Sequence, residues 1–318
     1  MSKIDLSIVT PIYNEAENIK ELINRLLTVL RSLENDYEII LVDDCSSDNS
    51  LKILKEEASN DEKIKVISFR RNFGQTAALA AGIKRARGDV LVTLDSDLEN
   101  DPNDIPKLLD KINNGYDIVS GWRKNRWQNK KFSRKLTSEL ANWLTRKISG
   151  VEIHDLGCTL KAYRSEIIKE VKLYGEMHRF MAILAYWQGG KLCEVEVNFQ
   201  PRQHGRSTYG LERISKVILD LVTIKYLSGY TTKPIYFFGK AGLYSFGLGL
   251  ITSLLALYFK FYLNASFIQT PLPVLTALFV IVGIQFILIG LVADLIMRSY
   301  YESQGKEIYT IKEKINFN

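Results

Sequence analysis

The stretch Leu6-Ser-Ile-Val-Thr-Pro-Ile-Tyr-Asn-Glu15, followed by Tyr37-Glu-Ile-Ile-Leu-Val-Asp-Asp44 and Val90-Leu-Val-Thr-Leu-Asp-Ser-Asp97, carries the pattern of the core. Each segment is a short apolar run that ends in polar or acidic residues. Runs of this length, rich in Val, Ile and Leu, read as buried strands. Between the first two, Ile19, Leu22, Ile23, Leu26, Leu27, Leu30 and Leu33 recur at spacings of three and four. That is the period of an amphipathic helix. Asn14 and Glu17 read as its capping box. The same reading predicts strands over 6–10, 37–42, 65–69, 90–94 and 117–120, with helices over 49–58 and 75–86. Such alternation predicts an α/β fold, a mostly parallel sheet covered by helices. Ligands of such sheets bind at the carboxyl ends of the strands.

Outward from this core, the chain has 318 residues, 42 Lys+Arg against 36 Asp+Glu and a net charge of +6. Charged residues at 25% and aromatics at 11% exclude a disordered chain. The mean hydropathy is -0.05, an average that hides two unlike parts. Cys45, Cys158 and Cys193 are odd in number and widely spaced. This argues against a disulfide framework or a zinc site and for a reducing compartment. The first residues lack the long apolar run of a signal peptide, so the first part is expected in the cytosol.

Residues 241–259 and 274–293 carry no charge and are each about the length that crosses a bilayer as a helix. The connection, with Asn264 and Pro271, carries one charge, Lys260. Lys233 and Lys240 precede the first run; Arg298 and Lys306 follow the second. The positive-inside rule puts both flanks in the cytoplasm and the connection outside. A pair of buried core helices is the alternative. Asp294 reads as interfacial. Over 211–230, Ile214, Val217, Ile218, Leu221, Val222, Lys225 and Tyr226 fall near one helical face, with Arg213, Lys216 and Asp220 elsewhere, as in a helix lying on the membrane surface. An amphipathic helix packed on its own domain is the close alternative there. The expected division is a catalytic domain over 1–208, surface helices over 209–234, the two spans within 235–297 and a cytosolic tail over 298–318.

Three strand ends carry carboxylates toward one crevice: Glu15, then Asp43 with Asp44, then Asp95 with Asp97. Like charges so placed make sense with a cation among them. Hard carboxylate oxygens favour Mg²⁺ or Mn²⁺ shared with substrate phosphates. The turn after the first strand, Pro11-Ile-Tyr-Asn-Glu15, has no glycine, which excludes a dinucleotide fingerprint. No Gly-Lys-Ser/Thr loop is present either.

The segments Ser7–Glu15, Val42-Asp-Asp-Cys-Ser-Ser-Asp48 and Asp95-Ser-Asp97 resemble the nucleotide-sugar site of family 2 glycosyltransferases, which have the GT-A fold. Asp155-Leu-Gly-Cys-Thr-Leu-Lys-Ala-Tyr-Arg164, Met177-His-Arg-Phe180 and Pro201-Arg-Gln-His-Gly-Arg-Ser207 narrow the resemblance to the polyprenyl-phosphate glycosyltransferases. The resemblance implies that Pro11, Tyr13, Glu15 and Asp43 line the base and ribose pocket, with Asp44 nearby. It implies that Asp95 and Asp97 hold the metal on the diphosphate, with Glu99 where relatives often have a Gln ligand. Arg123 and Arg202 would neutralise phosphates, and Arg202 and Arg206 would bind the acceptor phosphate. Asp97 and Asp155 would carry catalysis, Asp155 as an orienting or weakly basic residue near the acceptor. Thr208 stands where relatives often show Lys. His154, His178 and His204 read as hydrogen-bonding neighbours of a hard-cation site.

The expected reaction is inverting transfer of a sugar from a nucleotide sugar to a membrane polyprenyl phosphate, undecaprenyl phosphate above all. The favoured donor is a UDP-sugar, with glucose or N-acetylglucosamine. The expected location is the cytoplasmic membrane, multi-pass, with the catalytic domain and both termini cytosolic. No nucleic-acid motif accompanies the positive charge; self-association stays open. The rival enzyme is a processive polysaccharide synthase, but Gln203-His-Gly-Arg206-Ser207 lacks the Trp of its signature. A catalytically silent scaffold or sugar-nucleotide sensor is the rival of another class.

Overall fold

The computed structural model describes residues 4–124, 126, 143, 145–147, 149–173, 177–200, 234–263, 266–303 and 309–317. The chain divides into two compact units, Met1–Val217 with Glu307–Asn318, and Ile218–Lys306.

The first unit is built on one eight-stranded sheet. Strands β1 (Leu6–Ile12), β2 (Tyr37–Asp43), β3 (Ile64–Phe69) and β4 (Val90–Thr93) are parallel neighbours in the order β4-β1-β2-β3. Every residue of β1, β2 and β3 is buried, as expected of parallel strands covered on both faces. The register sets Ile12 opposite Asp43 and Val9 opposite Thr93. The carboxyl ends of β1, β2 and β4 therefore share one edge.

Helices α1 (Ile19–Arg31), α2 (Ser50–Asn60), α3 (Gln75–Arg85) and α4 (Ile105–Asn113) connect and cover these strands. The apolar stripe of α1 is buried through Ile19, Leu22, Ile23, Leu26, Val29 and Leu30. Its N-cap is Asn18, not Asn14 as the capping-box pattern suggested. Asn14 has a left-handed backbone, φ 54°, and its Oδ1 accepts from Ser47 N at 2.8 Å. A turn at the strand end, rather than a cap, is what that Asn serves.

Beyond β4 the sheet is mixed. Strand β5 (Ile118–Trp122) is parallel to β7 (Leu192–Glu196), while β6 (Lys161–Arg164) runs antiparallel to both β4 and β5. Two short helices, α5 (Ser165–Ile168) and α6 (Met181–Trp187), lie between β6 and β7 in the chain. At the far edge, β8 (Ile311–Ile315) pairs antiparallel with β3. The segment expected to be a tail thus closes the sheet. Arg70 N donates to Thr310 O at 3.1 Å, Asn316 Nδ2 donates to Ala58 O and Ile64 O, and Tyr309 stacks on Phe69 at 5.2 Å.

The second unit holds α7 (Pro234–Tyr262) and α8 (Leu272–Ser303). Their apolar spans are Phe237–Tyr262 and Leu272–Ala293, each long enough to cross a bilayer. Lys260, expected in the connection, lies in the last turn of α7. Only 22% and 11% of the two apolar windows are buried, unlike a pair of core helices. The helices meet through small and polar residues, the usual means of close packing in lipid. A Cβ on Gly242 would stand 2.9 Å from Gly283 O, and one on Gly283 3.1 Å from Gly242 O. Ser245 Oγ donates to Phe279 O at 2.7 Å, and the Thr252 and Thr276 hydroxyls are 2.9 Å apart. Residues 201–233, with Arg202, His204, Arg206, Thr208 and the expected surface helix, lie outside the described residues.

Candidate active site

The loops after β1 and β2 fasten each other. Asn14 N donates to Ser46 Oγ (3.0 Å), Glu15 N to Ser50 Oγ (3.0 Å) and Ala16 N to Asp48 Oδ2 (3.1 Å). Short polar side chains here take up the amides that the strand ladder leaves unpaired. Asn14 and Cys45 both have positive φ, backbone that persists only where its surroundings enforce it. Tyr13 is half exposed beside them, at 50%. Pro11 is buried in β1 opposite Val42, and the Glu15 carboxylate accepts from Asn18 Nδ2 at 2.6 Å.

The two acids that end β2 are buried. Asp43 accepts from Ser46 N (3.1 Å) and Ser68 Oγ (3.0 Å). Asp44 accepts from Phe73 N (2.7 Å) through one oxygen and Gly74 N (2.8 Å) through the other. Burial raises the Asp44 pKa, with the Asp43 charge adding to it, and the two amide bonds only partly offset the rise.

After β4 the chain makes an acidic turn. Asp95 Oδ1 accepts from Gln75 Nε2 at 2.7 Å, and Asp95 N donates to Thr159 Oγ1 at 3.2 Å. Asp97 is buried, and its Oδ1 accepts from Glu99 N at 3.1 Å. Leu98 between them is buried at φ 58°, strained for a residue with a branched side chain. Glu99 lies 3.4 Å from Arg123 Nη1. Among the described residues, no three His, Cys, Asp or Glu side chains gather into a metal-binding group. The described residues thus build no closed all-protein site. Mg²⁺ needs only one or two carboxylates when phosphates and waters complete its shell. Asp95 and Asp97, hard oxygen donors two residues apart on one turn, fit that kind of site.

Arg123 follows β5, and Asp155 lies in the segment leading to β6. Arg123 Nε donates to Asp155 Oδ2 (2.8 Å) and Nη2 to Oδ1 (3.1 Å), a bidentate pair. The Arg123 amide adds a third bond to Oδ2, at 3.2 Å. Both residues are nearly closed to solvent, at 4% and 7%. Burial disfavours charge on both, but their mutual attraction and hydrogen bonds outweigh it. Asp155 is thereby held below the usual carboxylate range, with Arg126 3.7 Å away assisting. Arg123 thus links Asp155 to Glu99 and the acidic turn.

Around these acids the structure places Glu194, Lys161, Thr159 and Gln75, none of them given a role above, together with His154 and His178, which were expected there. Glu194, on β7, accepts from His154 N (2.9 Å) and Asp155 N (3.2 Å) and so fixes the turn that presents Asp155. His154 bonds to the same carboxylate and stacks on Trp122 at 4.6 Å. Lys161 is buried and donates to Leu156 O at 3.2 Å. Burial depresses its pKa, opposed by Cys158, Asp155 and Asp95 nearby. His178 Nδ1 is 2.8 Å from Thr76 Oγ1. Thr159 and Lys161 lie inside the Asp155–Arg164 motif, which is their signal in the sequence. Glu194 and Gln75 had none, because the order of the strands and the packing of α3 on the sheet bring them near the site.

This arrangement, a GT-A-like sheet with an acidic turn at its strand ends, is that of a nucleotide-sugar transferase. The model of "Glycosyl transferase family 2" matches residues 7–172, and the chain belongs to that family. It is 38% identical to dodecaprenyl-phosphate galacturonate synthase of Rhizobium johnstonii, over 98% of this chain and 94% of the relative. It is 36% identical to undecaprenyl-phosphate 4-deoxy-4-formamido-L-arabinose transferase of Aeromonas hydrophila, over 97% and 93%. Among solved structures, the fold is similar to glucosyl-3-phosphoglycerate synthase of Mycobacterium tuberculosis with Mn²⁺, UDP and glucosyl-3-phosphoglycerate. The TM-score is 0.53 and the identity 17%, over 71% of this chain and 80% of that one. A structure of the same enzyme holds Mg²⁺ and UDP, at a TM-score of 0.50 and 17% identity, over 71% and 79%.

Proposed function

We propose that this chain transfers a sugar from a nucleotide sugar, a UDP-sugar foremost, to a membrane polyprenyl phosphate such as undecaprenyl phosphate. One observation carries the reading. The relatives named for such transfers match across 97–98% of the chain, the apolar hairpin included. A lipid-linked acceptor requires both a nucleotide-sugar site and an element held in the bilayer.

A phosphate oxygen of the acceptor attacks the anomeric carbon from the face opposite the leaving group. The bond to the diphosphate breaks, the nucleoside diphosphate leaves with the electron pair, and the configuration inverts. The acceptor phosphate is ionised at neutral pH, so no strong base is needed. Asp155 fits this: a carboxylate held ionised by Arg123 is a poor proton acceptor and a good orienting group. Tyr13, Glu15, Asp43 and Asp44 frame the nucleoside end, and Asp95 and Asp97 would hold Mg²⁺ or Mn²⁺ beside the diphosphate. When bound there, the cation supplies charge neutralisation for the leaving group. Arg202 and Arg206 are assigned to the acceptor phosphate.

The test is lipid-phase labelling. Membranes bearing the protein are incubated with undecaprenyl phosphate and a panel of labelled nucleotide sugars, including uronic acid and formamidopentose donors beside glucose and N-acetylglucosamine. Label extracted into organic solvent, and lost with Asp97→Ala, is the expected result. Label in insoluble polymer alone points to a polysaccharide synthase, and no transfer from any donor to a scaffold.

A further inference from the structure

The N-terminus of α3 ties together two strand ends that carry the site's acids. Phe73 N and Gly74 N donate to the two oxygens of Asp44, and the next residue, Gln75, donates from Nε2 to Asp95 Oδ1. Three successive residues thus span from the end of β2 to the turn after β4. The span is rigid. Gly74 has φ 91° with nothing within 4 Å of where a Cβ would stand, so conformation rather than space requires glycine there. Farther along the helix, a methyl on Gly82 would overlap Val9 Cγ1, so α3 is seated directly on β1. Thr76, beside Gln75, is hydrogen-bonded to His178.

Gln75 is a neutral donor. It holds one oxygen of Asp95 without cancelling the charge, as an Arg or Lys in its place would. A hydrogen bond to one oxygen of a carboxylate restricts the rotation of the whole group. Groups that orient metal-binding side chains in this way typically matter about 10–100-fold for metal affinity or activity. We propose that Gln75 is a positioning residue. It orients the Asp95 carboxylate for a divalent cation and, through Phe73 and Gly74, sets the spacing between Asp95 and Asp44. The inference rests on the reading of Asp95 as a cation ligand, given above.

The experiment titrates the purified full chain in detergent with Mn²⁺ in the presence of UDP, reading free Mn²⁺ by electron paramagnetic resonance. Wild type, Gln75→Leu, Gln75→Asn and Asp95→Ala are compared. The expected result is a roughly tenfold or greater loss of Mn²⁺ affinity in Gln75→Leu. Its thermal midpoint without Mn²⁺ stays at the wild-type value, and Gln75→Asn, which keeps the amide, recovers part of the affinity. Wild-type affinity in Gln75→Leu alongside a loss in Asp95→Ala overturns the proposal. No Mn²⁺ binding by wild type overturns the cation reading itself and the proposal with it. If Gln75→Leu does not fold, Gln75→Met, which keeps the length of the side chain, loses the donor and adds no charge, decides in the same way.

Discussion

Removing one member of the Arg123–Asp155 pair strands a charge in a place almost closed to solvent. Breaking such a pair costs about 3–5 kcal/mol. Arg123→Met and Asp155→Asn are each expected to lower the thermal midpoint sharply, and the double variant to recover part of the loss. Differential scanning fluorimetry of the four proteins checks this, and additive losses would refute the pairing. His178 provides the pH-dependent counterpart. Burial, with the charges of Arg179 and Lys161, pushes its ring down to about 4 from the ordinary 6.5. The unfolded chain then binds the extra proton first as pH falls. Stability from the neutral ring is complete above pH 6.5 and is lost as pH falls toward 4. For this partly exposed ring the loss is roughly 2 kcal/mol. His178→Gln is expected to flatten the stability profile over that range, measured by unfolding at stepped pH. At this scale the acids at the strand ends were legible, because carboxylates after apolar runs are a local pattern. The partners Gln75 and Glu194 were not, because they come from strands and helices distant in the chain.

Elements show where close approach replaces side-chain bulk. Where α7 and α8 cross, Gly242 and Gly283 leave no room for a side chain on either helix. The Thr252 and Thr276 hydroxyls meet elsewhere along the same contact. Cysteines placed at those two threonines are expected to form an intramolecular disulfide on mild oxidation. Gly283→Leu in the same background is expected to cut the yield several-fold by forcing the helices apart, as read by mobility on non-reducing gels. Equal yields would mean that the glycines do not set the crossing. The two apolar helices were legible from composition, since a bilayer-length uncharged run needs no partner to be recognised. Strands β6, β7 and β8 were not. Each has five residues or fewer and mixes charge with apolar residues, so its pattern is weak until a neighbour in the sheet defines it. β8, Ile-Lys-Glu-Lys-Ile, does alternate as an edge strand should, and there its charges guard the sheet from further pairing.

For the whole molecule, the pairing of β8 with β3 has a topological consequence. Residues 309–317 must lie on the same side of any bilayer as the rest of their sheet. The chain between must then cross an even number of times, and two apolar helices satisfy this. The turn between the helices is expected on the opposite face. Ser266→Cys in a cysteine-free background is the check. Intact cells treated with a membrane-impermeant maleimide should label it, while a cysteine at Lys312 should label only after lysis. Labelling of both in intact cells, or of neither, would refute the hairpin.

The parallel core of the sheet, the acidic strand ends and the two apolar helices are legible in the chain's local sequence. Each is written in contiguous residues whose period, length or charge suffices to identify it. The lock of Asp155 to Arg123, the hydrogen bonds of Glu194 to the Asp155 amide and of Gln75 to Asp95, and the return of 311–315 to the edge of the sheet are set by the tertiary fold. Those facts depend on which strands become neighbours. That choice is made by burial of the whole core rather than by any local run of residues.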